Sequence, residues 1–172
     1  MTLQPLLDAS PVIQIHAYAA IMAFVTGGAV LFNKKGDRRH VFLGRAWAVL
    51  MVIVALSSFF VWTIRLVGLF SPIHILSVLT LVKLWQAVGE ARAKKIIRHR
   101  RSMQQIYLGA LVIAGFFTFM PGRIMYHVIF GTDGAGIAEW ITFLVSFTLV
   151  TGGGALLLRK RLGWRLSDLK PS

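Results

Sequence analysis

Apolar runs long enough to cross a membrane, divided by short basic or glycine-rich connectors, constrain this chain more than any other feature. The first runs from Pro11 to Phe32, 22 residues without a charge and with Gln14 and His16 near its start. At about 1.5 Å per residue, a helix of that length covers a hydrocarbon core roughly 30 Å thick. A second run extends from Ala46 to Ile64 and ends at Arg65, and a third from Pro72 to about Val88, with Lys83 inside it. A fourth occupies at least Ile106 to Met120; the sequence allows it to stop at Pro121-Gly122 or to continue, kinked, to Phe130. Ile137 to Leu158 is the fifth. The expected fold is all-α and integral to the membrane, with five transmembrane helices in one domain over residues 1–172.

Composition agrees: 56% of residues are hydrophobic and the mean hydropathy is +0.71, more apolar than a soluble chain requires. The formal charge of +13 would suit nucleic acid, but the basic residues fall in clusters between spans instead of along a solvated face. No nucleic-acid partner is expected. The chain has no cysteine, which excludes disulfides, thiolate zinc sites and iron–sulfur clusters. A cleaved leader is not expected, because the first ten residues carry no Lys or Arg and the first run is long enough to span.

The clusters set orientation. Of the 19 Lys and Arg, all but Arg65 and Arg123 lie in the 33–45 turn, in 83–101 or in 159–170, which five spans place on one side. The positive-inside rule then predicts an outer N-terminus and a cytoplasmic C-terminus, in a bacterial plasma (inner) membrane, with the basic turns against anionic lipid. Trp47, Trp85 and Trp164 fall at the inner interface on this reading, and Trp62 and Trp140 at the outer one.

Histidine spacing adds an internal repeat. His16 near the outer end of the first run is followed by His40 before the second; His74 opens the third and is followed by His99 before the fourth. Residues 11–65 and 72–130 therefore read as two hairpins of the same topology, with 137–172 as an added helix and basic tail. A pseudo-twofold axis along the membrane normal would set His16 with His74 at one depth and His40 with His99 at another.

His16, Lys35-Gly36 before His40, Gly44-Arg45 after it, His74, and His99-Arg100-Arg101 with Met103 resemble the membrane proteins grouped as domain of unknown function 2306. The resemblance covers roughly residues 12 to 125 and departs at Val41, where a basic residue would be expected. It implies a multi-pass membrane fold and no particular activity.

Three functions remain open. In the first, each same-depth pair, His16 with His74 and His40 with His99, holds a b-type haem, and electrons cross the membrane between them, as in ascorbate-dependent cytochromes b. Ala20, Ala23 and Gly27 would permit close approach along the first run, and Arg65 and Arg123 would face propionates or other anions. Depth favours the outer pair, since His40 stands six residues before Ala46, about 9 Å at helical rise. Ordinary alternatives are a hydrogen bond from His16 to the third run or to a backbone carbonyl, and a hydrated basic face at His40 and His99.

The second function is an outer pocket for a quinone head, a lipid or another small ligand, with or without a metal on His16 and His74. It would be assembled from His16, Tyr18, Arg65, His74, Arg123, Tyr126, His127 and Glu139. The third is an accessory subunit or homo-oligomer, with Gly152-Gly153-Gly154 as a packing face. Hydrolase and transferase motifs are absent: the 131–136 loop lacks the Lys-Ser/Thr of a phosphate loop, and no carboxylate pair falls within a span.

Overall fold

The computed structural model describes residues 2–61, 72–131 and 136–162, and in them the protein is helical without a strand. After a single turn, α1 (Gln4–Leu7), Pro11 opens α2 (Pro11–Phe32) at a position where its missing N–H costs nothing. The helix α3 (Arg38–Ser58) starts eight residues earlier than the apolar run. Its first turn is cationic, which opposes the helix dipole, and Asp37 offsets this by capping the helix and accepting the His40 N–H at 2.7 Å.

α4 (Pro72–Arg92) is joined by a turn to α5 (Ile96–Ile106), and Lys94 closes that turn in the left-handed region, φ 57°. The fourth run thus begins as a helix ten residues before Ile106. It continues through a π-helical stretch, Tyr107–Ile113, then α6 (Ala114–Phe116) and a 3₁₀ turn, Phe117–Phe119. It stops at Pro121-Gly122, where Gly122 adopts φ 82° and turns the chain into a separate short helix, α7 (Ile124–Phe130).

Each helix packs on the next, and the π stretch returns to α2, so the four long helices close a ring. α2 stands diagonally from α4, and α3 from α5. Four helices, Pro11–Phe32, Arg38–Ser58, Ile73–Arg92 and Ile96–Phe119, have the length and composition to cross a membrane. Only 22–28% of their most apolar stretches is buried, and large apolar side chains such as Met22, Val25, Val49, Ile75 and Leu79 cover the exterior. That exterior suits lipid, not water. The fifth expected span falls on α8 (Ile137–Leu162), whose described apolar stretch, Ile137–Leu149, is shorter than the other four. α8 rests on the ring through Phe143 and Phe147, which contact Phe116 at centroid distances of 5.0 and 5.2 Å.

The core is built from Ala23, Leu31, Trp47, Met51, Leu84, Ala87, Ile106, Tyr107 and Leu111. On α2 the inward stripe is Ala19, Ala23, Gly27 and Leu31, so Ala19 replaces the expected Ala20 in that row. Gly27 is obligatory. A Cβ there would collide with the Trp47 indole nitrogen and lie 2.7 Å from the Tyr107 ring. Trp47 is consequently a core residue, 3% exposed, and not the interfacial anchor that its depth suggested. Trp85, 83% exposed, does face outward; Trp62 and Trp164 lie outside the described residues.

One end of the ring carries the basic turns. The other is capped by α1 and α7, which pack together, with the Thr2 N–H donating to the Val128 carbonyl at 3.1 Å and Leu6, Tyr126 and Val128 buried beneath.

Candidate functional site

The ring distributes four of the five histidines over two levels. Toward the capped end, His16 of α2 points Nδ1 at the Val54 carbonyl, 3.1 Å away, and at Ser57 Oγ, 2.9 Å away. Ser57 spends its own proton on the Ile53 carbonyl at 2.7 Å, so both partners of His16 accept. Nδ1 must carry the hydrogen, and in the neutral ring Nε2 is then the atom with the lone pair. The bond to a main-chain carbonyl matches one of the ordinary alternatives for this residue, although the carbonyl belongs to the second apolar run and not to the third.

His74 of α4 is buried and stacks on Phe59, the residue closing α3, with ring centroids 5.6 Å apart and planes at 16°. His16 and His74 thus both rest on residues 54–59 of α3, at a similar height. Ser58 and Ser77 share a buried hydrogen bond between α3 and α4 just below them. Such hydroxyl pairs hold helices together where no hydrophobic drive does so.

At the basic end, His99 of α5 donates Nδ1–H to the Ala87 carbonyl of α4 at 2.8 Å, which again leaves Nε2 as the basic nitrogen. His40, diagonally opposite on α3, lies within electrostatic reach of His99, with Asp37 and Lys35 nearby. Its Nδ1 is buried and has no hydrogen-bond partner among the described residues. Across the α4–α5 hairpin, Lys83 donates to Gln105 at 3.0 Å and Ser102 to Glu90 at 2.8 Å.

Other candidates separate. Tyr18 is 46% exposed on the outside of α2, whereas Tyr126 is buried in the cap. His127 closes α7, its Nδ1 donating to the Gly131 carbonyl at 3.0 Å. Arg123 sits half-buried at the start of α7, and Arg65 lies outside the described residues. Among the described residues, no three His, Asp or Glu side chains gather as a metal would require.

Two interior residues with polar atoms were not expected there: Gln104 was not singled out in the sequence, and Trp47 was expected at the inner interface. Gln104 is 2% exposed and, among the described residues, neither amide atom has a partner; the Trp47 indole N–H is likewise buried and unpartnered there. The pattern of α5 carries no signal for Gln104, which follows a basic cluster and stands beside the exposed Gln105.

A family model described as "Predicted membrane protein (DUF2306)" matches residues 13–151, a stretch that contains all five histidines. No curated protein and no solved structure matches the chain.

Proposed function

The chain belongs to the DUF2306 family of predicted membrane proteins, and we propose that it serves there as a transmembrane redox protein binding haem b on diagonal histidine pairs. The carrying observation is the anchoring of His16 and His99, one at each level of the ring. Each commits Nδ1–H to a main-chain carbonyl and presents Nε2 as a ligand atom. Ligating imidazoles are commonly held by such outer hydrogen bonds, which fix the tautomer and ring orientation. His74 would hold the group together with His16, and His40 together with His99. A donor set of imidazoles in a helical bundle would suit a b-type haem.

Bound haem supplies one-electron chemistry; the chain holds it and separates the two levels. Along α3, from residue 40 to residues 54–57, the helical rise is about 21–25 Å. Trp47, Met51, Tyr107 and Leu111 fill the interior between. On this reading 11–65 and 72–130 are two copies of one hairpin, α8 is a fifth span, and the basic end faces the cytoplasm of a bacterial plasma membrane. Arg123 and Arg65 then serve the outer haem, and the arginines around His99 the inner one.

The test is a reduced-minus-oxidised absorption spectrum of the detergent-purified chain after haem-replete expression. Soret and α bands characteristic of bis-histidine haem are expected. A colourless protein would overturn the proposal.

A further inference from the structure

The outer surface of α4 changes character partway along. Two rows at four-residue spacing are exposed there, Ile75-Leu79-Lys83 and Val78-Val82-Gln86, each apolar toward the capped end and polar where it nears the basic end. Across the hairpin Gln105 of α5 is exposed too, and Lys83 Nζ donates to its amide oxygen at 3.0 Å. Lys83 stands well inside a helix fit to span, about 13 Å from its end at Arg92 at helical rise. An ammonium has three N–H groups, and the bond to Gln105 is the one it makes among the described residues. No carboxylate among those residues answers its charge. Glu90, two turns further on, accepts the Ser102 hydroxyl at 2.8 Å instead. A cation on the lipid-facing side of a span is costly, and such residues are kept where an anion or a polar path meets them. The lysine stem can lie on the apolar surface while its charge reaches toward the headgroups.

We infer that Lys83, Gln86 and Gln105 form a headgroup site for an anionic phospholipid on the outer face of the α4–α5 hairpin, with an acyl chain lying along the apolar rows of α4. Charge selects the class, since Lys83 is neutralised by a phosphate and not by the uncharged amide it touches. Chemistry agrees. The ammonium and both amides offer N–H donors to phosphate oxygens, and the amide oxygens can accept from a glycerol hydroxyl. The order of the rows fits an amphiphile, apolar at Ile75, Leu79, Val78 and Val82 and polar beyond. A second copy of the chain is a poorer occupant of this face, because it would bring Lys83 and the exposed cations of the adjoining turn, Lys94 and Lys95 among them, against their own kind. The site differs from the general attraction of the basic turns for anionic lipid in holding a headgroup at a fixed place by hydrogen bonds. It does not depend on the haem reading.

The experiment titrates the full chain in detergent with phosphatidylglycerol, and separately with phosphatidylcholine, and reads retained lipid by native mass spectrometry and stability by melting temperature. Saturable retention of phosphatidylglycerol with a rise in melting temperature is expected for the wild-type chain, and little of either with phosphatidylcholine. Lys83→Met keeps the stem and deletes the charge, and should bind phosphatidylglycerol about tenfold more weakly, the loss of one charge-assisted hydrogen bond. Lys83→Arg should retain binding. Lys94→Met removes the same charge from the turn outside the site and should leave binding near the wild-type value. Gln105→Leu deletes the acceptor that holds Lys83; it should also weaken binding, and it decides the matter if the methionine variant does not fold. A wild-type chain that takes both lipids alike, or neither, would overturn the site. So would equal losses in Lys83→Met and Lys94→Met, which would reduce the effect to the general charge of the basic end. A dimer that Lys83→Met dissociates without changing lipid binding would overturn it as well, and assign the face to a second copy.

Discussion

Gly27 is where a single atom most disturbs the ring. A methyl group there has no room against the Trp47 indole and the Tyr107 ring, and both belong to the core. Gly27→Ala is therefore expected to cost about 1–3 kcal/mol, the usual range for overpacking, and to lower the melting temperature of the detergent-purified protein. Gly28→Ala is the control, since its Cβ would lie 3.3 Å from the Tyr107 hydroxyl, a contact that a small shift relieves. Equal melting temperatures for the two variants would show that the close approach at Gly27 is not needed. The same neighbourhood marks the limit of reading residues from sequence. Depth along a span can be counted, and it suggested an interfacial anchor at Trp47. Which way a tryptophan at that depth points depends on a glycine twenty positions earlier on another helix, and no local pattern records that pairing. Gln104 was missed for a related reason. Standing next to Gln105 after a basic cluster, it reads as surface, yet Gln105 is exposed and bonds Lys83 while Gln104 turns inward.

The helices were legible where physics acts locally. Pro11 and Phe32 bound α2 as the apolar run does, because a proline start and the end of an uncharged stretch are local signals. α3 begins earlier than its apolar run because hydropathy locates lipid, whereas capping locates helix. Asp37 accepts a hydrogen bond from the His40 backbone and opposes the charge of Arg38 and Arg39 at the positive end of the dipole. Asp37→Ala should cost about 0.5–2 kcal/mol and loosen the turn that holds His40. Asp37→Asn retains the cap and should recover most of it. Thermal unfolding of the pair measures this, and an alanine variant as stable as wild type would remove Asp37 from the account. The end of the fourth span was open in the sequence because Pro121-Gly122 fits a kink and a stop equally well. The positive φ of Gly122 and the separate packing of α7 on α1 decide for a stop. The π stretch from Tyr107 has no sequence signature in a run of apolar residues, and it could not have been read.

For the whole molecule, the exposed apolar exterior and the four spanning helices place the ring in a membrane. The distribution of Lys and Arg predicts which way round it stands. The absence of cysteine makes that directly measurable. A membrane-impermeant maleimide added to intact cells should label Asp8→Cys at the capped end and spare Asn33→Cys at the basic end. The opposite labelling would invert the orientation. The spacing of four histidines predicts two levels, but the carbonyls that fix His16 and His99 were not legible, since Val54 and Ala87 become partners only when helices pack. The proposed use of these levels is most directly tested by haem stoichiometry from pyridine haemochrome spectra of the wild-type chain and of His16→Ala and His99→Ala. Two haems per wild-type chain and one in each variant are predicted. No haem in the wild-type chain, or a stoichiometry that neither variant changes, would contradict the account.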